Sequence, residues 1–342
     1  MRIPVYRQVL KFIFMQNQVA VIIVNWNGIP FLADCLDSLR GQVFKNFSII
    51  LVDNGSKDGS LDFVKKHYAE ITTMAFADNL GFASANNHVL RRVQTKYVAL
   101  LNNDTVVHPL WLKSLTGALD TYSEAGFAAS KMLSYYDQTI IDRAGDSYSK
   151  AGTGILRGRG KSKGHYNQYE WVFGACAGAA LYRTQMLQDI GLFDDDLFLL
   201  YEDVDLSFRA QLRGYKCLYV PEAVVYHKGS ASIGQDTDVS VYYSHRNLEW
   251  VYLKNMPRKL LLRSLWLHLL YDIAALLFFL LKGKLTIFAK AKIDFLRNFK
   301  KIIRQRALIQ KNKKVDDQYI WNLFENELFL PRLLRRFKKT HG

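Results

Sequence analysis

The sequence predicts an α/β protein built on an open, mostly parallel β-sheet, and two kinds of segment predict it. Short β-branched, apolar runs end in polar residues at Val19–Asn25, at 47–53 and at Tyr97–Leu101, a pattern typical of parallel strands buried on both faces. Between these runs, 31–39 and 83–93 space their apolar residues as helices do. A β-α-β-α-β order of this kind places ligands beyond the carboxyl ends of the strands.

Changes in composition divide the chain into four regions. Residues 1–18 form an N-terminal extension, which is a poor signal peptide because basic residues interrupt its apolar stretch, so a cytoplasmic location is expected. The sheet occupies 19–125, and 126–255, richer in Gly and aromatics, completes the cleft. Pro257 marks a break close to the start of the last region, 256–342.

The charge of the chain is concentrated in its last region. The whole chain carries a net charge of +15, and 20 Lys and Arg stand against 6 Asp and Glu in 256–342. A neutral front with a basic tail predicts that one segment of the chain contacts an anionic surface. It disfavours a domain whose whole surface is shaped to bind nucleic acid. The 49% hydrophobic content excludes disorder for most of the chain, and the wide spacing of Cys35, Cys176 and Cys217 disfavours structural zinc and disulfides.

The basic tail predicts association with a membrane surface. Residues 260–281 are strongly apolar but carry Arg263, His268 and Asp272, and the uninterrupted apolar run 273–281 is too short to span about 30 Å of hydrocarbon. This favours a segment that lies on the membrane. Residues 288–309 mix apolar and basic side chains as an interfacial helix does. The alternative is an amphipathic helix packed on the protein with a solvated basic face.

Polar clusters at the predicted strand ends carry the candidate chemistry. Asp104 follows the third apolar run, where one carboxylate suffices for a Mg²⁺ or Mn²⁺ site completed by substrate phosphates. Asp53 precedes a sharp turn and could accept the imide N–H of a uracil or thymine. Gly81, before small residues, permits close approach of a ligand to the backbone. Ordinary turn and helix-start chemistry remains the alternative for each cluster.

An acidic cluster at 194–205 is the second candidate site. Like charges there would raise some carboxylate pKa values, which favours Asp203 as a proton acceptor. The alternative is an acidic first helical turn, with Asp205 and Arg209 as a solvent-facing pair. His227 could equally be a structural histidine. The aromatics and Arg246 of 242–247 suit contact with a sugar or diphosphate, or a packed helix start.

In order and spacing these blocks resemble glycosyltransferase family 2, and the resemblance covers roughly 19–250. Within the family the chain most resembles bacterial rhamnosyltransferases that build cell-surface polysaccharides. The blocks are Val-Ile-Ile-Val-Asn-Trp-Asn-Gly at 21–28, Val-Asp-Asn-Gly-Ser at 52–56, Asn-Leu-Gly-Phe-Ala at 79–83 continuing through Asn86 and Asn87, Leu-Asn-Asn-Asp-Thr at 101–105, Phe-Gly-Ala-Cys-Ala-Gly at 173–178, Gly-Leu-Phe-Asp at 191–194 through Tyr-Glu-Asp-Val-Asp-Leu at 201–206 with Arg209, and 221–227.

The resemblance implies a GT-A fold, a nucleoside-diphosphate sugar donor, a divalent Mg²⁺ or Mn²⁺ cation and inversion at the anomeric carbon. It makes 19–125 the half that binds the nucleotide sugar and 126–255 the half that holds the acceptor and the catalytic base. Asp203 would be the general base, and Asp104 and His227 the metal ligands. The donor would be bound by Asn25, Asn27, Asp53, Asn54, Asn79, Gly81, Phe82, Asn86, Asn103 and Asp104, and the acceptor by Gly174, Ala175, Cys176, Glu202 and Arg246.

One departure from the family pattern concerns the metal. The usual Asp-x-Asp stands here as Asn-Asn-Asp at 102–104, so only the second carboxylate is present and strict metal dependence is in doubt. The chain also lacks the Gln-x-x-Arg-Trp motif of processive polysaccharide synthases, which favours addition of a single sugar.

The expected function is therefore the transfer of one sugar, with rhamnose favoured, from a dTDP- or UDP-linked donor to a lipid-linked saccharide. The reaction would take place at the cytoplasmic face of the membrane, with the protein peripheral or monotopic and no nucleic acid involved. Two alternatives stay open: a sugar-nucleotide nucleotidyltransferase, which normally shows a Gly-rich, basic N-terminal loop that this chain lacks, and a non-enzymatic binder of nucleic acid or another anionic polymer.

Overall fold

The computed structural model describes residues 17–229 and 237–326. Most of the predicted N-terminal extension, 1–18, lies outside these ranges. The strands are β1 (Val19–Asn25), β2 (Phe47–Asn54), β3 (Thr72–Phe76), β4 (Tyr97–Leu101), β5 (Thr105–Val107), β6 (Ala125–Ser134), β7 (Ile141–Ala144), β8 (Asp146–Ser149), β9 (Gly154–Leu156), β10 (Glu170–Val172), β11 (Ala179–Arg183), β12 (Lys216–His227) and β13 (Phe324–Glu325).

A central sheet with the order β10-β12-β6-β11-β4-β1-β2-β3 organises the fold. β1 is parallel to β2 and β4, β2 to β3, and β6 to β12, whereas β11 is antiparallel to its neighbours β4 and β6. The predicted α/β class with a mostly parallel sheet is confirmed. β3 was not predicted, because this edge strand is only partly buried and its Thr-Thr-Met-Ala-Phe sequence lacks a continuous apolar run.

Helices cover both faces of the sheet and extend beyond it. The predicted helices at 31–39 and 83–93 are present with shifted ends. The helices are α1 (Ile29–Arg40), α2 (Ser60–His67), α3 (Gly81–Leu90), α4 (Trp111–Thr121), α5 (Thr184–Ile190), α6 (Glu202–Arg213), α7 (Asp238–Asn255), α8 (Arg258–Leu281), α9 (Leu285–Arg297), α10 (Phe299–Lys311) and α11 (Asp317–Leu323), with one 3₁₀ turn at Asp195–Leu197.

The parallel strands end together at one edge, and this positions the polar clusters. In β1 every side chain before Asn25 is apolar, and Asn25 pairs in register with Asp53 near the end of β2. β4 lies on the other side of β1, and Asp104 follows it within three residues. The strands are apolar because helices cover both faces of the sheet. Their first polar side chains therefore lie where this helical layer ends.

The last helices pack on the protein through both apolar and polar side chains, and α8 also presents apolar ones outward. His268 of α8 stacks on Tyr252 of α7 with ring centroids 3.8 Å apart, and its Nε2 lies 2.9 Å from an oxygen of Glu249. Lys292 of α9 pairs with Glu249 and, at 2.7 Å, with Asp272 of α8. The exposed apolar side chains of α8 are Leu262, Leu265, Trp266, Leu269, Leu270, Ile273, Leu276, Leu277, Leu280 and Leu281.

By length and composition alone α8 could cross a membrane. It has 24 residues, its most apolar 18-residue window has a mean hydropathy of 1.9, and 28% of that window is buried in the protein. The prediction of one interfacial helix over 288–309 is wrong in detail. Two helices, α9 and α10, meet at Asn298, where the side chain bonds the carbonyl of Asp294 at 2.8 Å.

Candidate active site

The predicted donor-binding residues Asn25, Asn27, Asp53 and Asn103 form a hydrogen-bonded cluster at the ends of β1 and β2. Asn25 Nδ2 donates to Asp53 Oδ1 at 3.3 Å and to Ser56 Oγ at 3.1 Å. The backbone N–H of Ser56 donates to Asp53 Oδ2 at 3.2 Å, and Asn103 Nδ2 donates to Asn25 Oδ1 at 2.7 Å. Asn27 joins the same turn, because its backbone N–H donates to Ser56 Oγ. The cluster fixes Asp53, which is 3% exposed, at the sheet edge.

A second turn brings the start of α3 against the other half of the chain. Asn54 Nδ2 donates to Asn79 Oδ1 at 2.9 Å, and Asn79 Oδ1 also accepts the N–H of Gly81 at 2.9 Å. Gly81 has a φ of +79°, and a Cβ there would lie 2.5 Å from the Phe198 ring. The carbonyl of Phe198 accepts the N–H of Ala83 at 3.2 Å. Only glycine therefore permits this close approach.

The rest of α3 holds the segment that precedes the predicted base. Asn87 exchanges two hydrogen bonds with the backbone of Phe193 and donates to Asp195 Oδ1 at 2.8 Å. Asn86, a predicted donor-binding residue, instead donates to the carbonyl of Phe82 within its own helix at 2.9 Å. Sequence patterns indicated no individual role for Asn87 and Asp195, because their pairing spans more than 100 residues.

Asp104 and His227 face each other beside the donor cluster. His227 ends β12, which pairs antiparallel with β5 and sets His227 opposite Thr105. His227 Nε2 lies 3.4 Å from Asp104 Oδ2, and its Nδ1 lies 2.9 Å from Asp142 Oδ2. Burial lowers the pKa of His227, but these two carboxylates outweigh burial and raise it to about 9. Arg159 Nη2 lies 3.4 Å from the other oxygen of Asp142.

The pair Asp104 and His227 fits a hard divalent cation. A carboxylate oxygen and an imidazole nitrogen converge at a mostly buried position, and such cations commonly take one or two protein ligands and complete their shell with phosphate oxygens. The Asn-Asn-Asp sequence leaves a single carboxylate here. The Asn103 side chain already donates a hydrogen bond to Asn25.

Asp203, the predicted general base, lies at the start of α6. Its Oδ2 accepts the backbone N–H of Ala177 at 3.3 Å and lies 3.9 Å from Arg143 Nη1. Arg143 also contacts both oxygens of buried Asp146, at 3.2 and 3.3 Å. Burial, with further contributions from Asp203 and Asp142, raises the pKa of Asp146 to about 7 against the opposing effect of Arg143. Cys176 lies within 4.8 Å of both carboxylates.

Two adjacent residues of β7 connect the halves of the site. Asp142 contacts His227, and Arg143 contacts Asp203. The predicted base and the predicted cation ligands therefore lie on either side of one short strand. The sequence singled out none of Asp142, Arg143 and Asp146, because β7 and its neighbours lack the apolar runs that mark the ends of buried strands.

The backbone before Asp203 is strained. Phe198, Leu200 and Tyr201 all have positive φ, at 59°, 65° and 70°, a conformation that costs roughly 1–3 kcal/mol per non-glycine residue and clusters at functional sites. Glu202 follows, buried, and burial together with Asp203 raises its pKa well above the ordinary value. In the described part of the chain Glu202 Oε2 has no hydrogen-bond partner.

Asp205 and Arg209 do not form a solvent-facing pair, so that alternative is wrong. Asp205 is fully buried, and its Oδ2 accepts from Arg209 Nε at 2.8 Å. Lys254 of α7 contacts Asp205 at 2.7 Å and Asp194 at 2.5 Å. The partner that buries the pair comes from a helix almost 50 residues further along the chain, which sequence periodicity does not reveal.

The other predicted acceptor residues lie on or near α6 or, for Arg246, on α7. Gly174 contacts Ser207 of α6 so closely that a Cβ would lie 2.5 Å from its Oγ. Ala175 is buried, and burial raises the pKa of the Cys176 thiol, which keeps it protonated. Arg246 donates to the carbonyl of Asp196 at 2.6 Å, so it fixes the 3₁₀ turn; its contact with the acceptor stays a prediction.

Comparisons with known proteins place this site in context. The family model described as "Glycosyl transferase family 2" matches residues 20–191. The N-acetylglucosaminyl-diphospho-decaprenol L-rhamnosyltransferase of Mycobacterium tuberculosis is 25% identical over 265 residues, which are 70% of this chain and 85% of that protein. The uncharacterized protein y4gI of Sinorhizobium fredii is 26% identical over 64% of this chain, but the match spans 25% of that longer protein.

Solved structures share the fold at lower identity. TarS 1–349 of S. aureus, in complex with UDP-GlcNAc, has a TM-score of 0.54 and 18% identity over 86% of this chain and 87% of that chain. The mannosyltransferase PcManGT of Pyrobaculum calidifontis, in complex with GDP-Man and Mn²⁺, has a TM-score of 0.52 and 16% identity over 81% and 74%. The likeness confirms the expected fold.

Proposed function

The chain belongs to glycosyltransferase family 2, and from this premise we propose that it transfers a single sugar from a nucleoside-diphosphate donor to a lipid-linked saccharide with inversion. The observation that carries the proposal is the pair of adjacent contacts on β7. Asp142 reaches His227 on the donor side and Arg143 reaches Asp203 on the acceptor side. A leaving group and an attacking hydroxyl can then meet at one place.

On the donor side, the protein supplies polar groups suited to a nucleotide. Asp53 would accept the imide N–H of a uracil or thymine, and the cluster with Asn25 and Ser56 would hold that carboxylate in position. Gly81, whose positive φ and close contact with Phe198 fix the start of α3, would hold the turn of Asn54 and Asn79 beside this cluster. We propose 19–125 as the donor half and 126–255 as the acceptor half on these grounds.

On the acceptor side, Asp203 would take the proton of the attacking hydroxyl. Its carboxylate is held by the N–H groups of Ala177 and Val204, at 3.3 and 2.8 Å, so it keeps a fixed direction. One base on one face of the sugar suffices for a single displacement, which inverts the anomeric carbon. Glu202, kept protonated by its raised pKa, could donate a hydrogen bond to the acceptor.

Asp104 and His227 would hold a Mg²⁺ or Mn²⁺ ion. Such an ion, when bound, would stabilise the charge that develops on the diphosphate leaving group. The Mn²⁺ in the PcManGT complex supports a divalent cation in general. With one carboxylate in place of two, we expect a modest affinity in the absence of nucleotide.

The name of the Mycobacterium relative supports L-rhamnose as the sugar and a lipid-diphosphate-linked saccharide as the acceptor. The family match favours this transferase over the nucleotidyltransferase and over a non-enzymatic binder of anionic polymers. A membrane location follows from the acceptor proposal, and the outward apolar face of α8 supports it. His268 and Asp272 contact the protein, whereas many of the Leu and Ile side chains of α8 are exposed. We propose that this face lies on the cytoplasmic leaflet.

The test is to measure transfer and donor binding in the same variants. Asp203→Asn should lower turnover by at least about 1,000-fold, in line with loss of a general base, while binding of UDP- or dTDP-linked sugars stays within about twofold. Asp62→Asn, on an exposed face of α2, is the control and should retain turnover. Turnover by Asp203→Asn at the wild-type rate would remove this residue as the base.

A further inference from the structure

We propose that Asp142 is a positioning residue that orients His227 as a cation ligand, and that Arg159 holds Asp142 in place. The inference rests on the proposed function, because it concerns the divalent cation that Asp104 and His227 would hold. Neither Asp142 nor Arg159 belongs to the residues that sequence patterns suggested.

The first step is the geometry around the imidazole ring. Asp142 Oδ2 lies 2.9 Å from His227 Nδ1, and Asp104 Oδ2 lies 3.4 Å from Nε2. The two carboxylates therefore contact different ring nitrogens. If Nδ1–H donates to Asp142, then Nε2 is the nitrogen that would offer its lone pair to a cation shared with Asp104.

The second step is that Asp142 is itself held in place. Its side chain is 13% exposed and that of His227 is 16% exposed, so water competes little for their hydrogen bond. Arg159 Nη2 lies 3.4 Å from Asp142 Oδ1, the oxygen that does not contact the histidine. The loop that carries Arg159 is tied to β7, because the N–H of Gly160 donates to the carbonyl of Ile141 at 2.9 Å.

The third step is that strand pairing fixes both partners. Ile141 and Arg143 of β7 pair with β6 and flank Asp142, which lies at an irregularity in that register. β6 pairs in turn with β12, and His227 ends β12 opposite Ser134 of β6. The carboxylate and the ring are thus carried by strands of one sheet, and their separation does not depend on a mobile loop. Partners of this kind typically contribute about 10- to 100-fold to the affinity of a metal site.

The experiment measures Mn²⁺ binding by electron paramagnetic resonance, for the ion alone and with UDP, on the full chain. Asp142→Asn should weaken Mn²⁺ binding about 10- to 100-fold with little change in melting temperature. Asp142→Glu, which keeps the charge, should recover part of the loss. Asp62→Asn, on an exposed face of α2, is the control and should bind as the wild type does.

A double-mutant cycle separates orientation from a general structural effect. In a His227→Ala background, Asp142→Asn should cause no further loss of Mn²⁺ binding, because its partner is gone. An equal loss in both backgrounds, or no loss in the wild-type background, would overturn the inference and leave the proposed function standing. If the wild-type chain binds no Mn²⁺ even with UDP, then both the inference and the cation of the proposed function are overturned.

If Asp142→Asn does not fold, Arg159→Gln keeps the inference testable. This change removes only the outer contact of Asp142, and the Arg159 side chain is 41% exposed, so the fold should tolerate it. We expect a loss of Mn²⁺ affinity of a few-fold that also vanishes in the His227→Ala background. A loss that persists there would count against the chain of contacts.

Discussion

The outward face of α8 allows a quantitative prediction for membrane binding. Leu269, Ile273, Leu277 and Leu280 are 51%, 55%, 53% and 52% exposed. Full burial of such a side chain contributes about 1.5–3 kcal/mol, so burying the remaining half of each contributes about 1 kcal/mol. Replacing all four by Gln, which retains helix propensity, should therefore cost about 4 kcal/mol of membrane partitioning, or roughly 1,000-fold in the partition constant.

The assay is sedimentation with phospholipid vesicles over a range of lipid concentrations. The fold should be unaffected, because the changed side chains face outward, and circular dichroism and the melting temperature check this. A matched control replaces four exposed apolar residues elsewhere by Gln: Val43, Leu110, Tyr136 and Trp171. We expect the control to bind as the wild type does.

Two results would refute the reasoning about α8. One is a quadruple variant that sediments with vesicles as the wild type does. The other is a control variant that loses as much binding as the α8 variant, since the apolar face would then have no special role. Omitting anionic lipid separates the two contributions, because the apolar term persists in zwitterionic vesicles and the term from the basic residues does not.

Three further predictions concern the interior. Asp205→Asn should lower the free energy of unfolding by about 3 kcal/mol, measured with urea, because it leaves Lys254 buried with one carboxylate fewer. Burial raises the pKa of Asp205, but Lys254 and Arg209 outweigh burial and lower the pKa to about 2. The ionised Asp205 therefore contributes fully to stability above about pH 4, and this contribution is lost as the pH falls toward 2. The acid unfolding profile of Asp205→Asn should lack this contribution. Gly81→Ala should lower the free energy of unfolding by at least about 2 kcal/mol in the same urea assay and weaken donor binding. The new Cβ would clash with the Phe198 ring, and residue 81 has a positive φ that alanine disfavours. Unchanged stability would contradict the packing described.

The strand ends were the part of the molecule that the sequence predicted best. The apolar runs give way to polar residues at Asn25, at Asp53 and at 102–104, because both faces of the sheet are covered up to those points. The register of β1 with β2 sets Asn25 beside Asp53. This rule is local along each strand and needs no knowledge of distant partners.

The missing parts depend on contacts between segments far apart in the sequence. Asp142 meets His227 across 85 residues, and Lys254 meets Asp205 across nearly 50. Neither pair has a periodic pattern, and charges on a helix such as α6 predict a solvated face unless a buried partner is known. The sequence did not predict the break at Asn298 within 288–309, because the spacing of apolar and basic residues continues through it.

The measurement that tests the central claim most directly is the melting temperature of the purified chain with a panel of nucleoside-diphosphate sugars, each with and without Mn²⁺. A ligand that binds only the folded state raises the melting temperature. We predict selective stabilisation by one thymidine- or uridine-linked sugar, larger with Mn²⁺ and reduced in Asp104→Ala. No response to any donor in the panel would contradict the proposed transferase site.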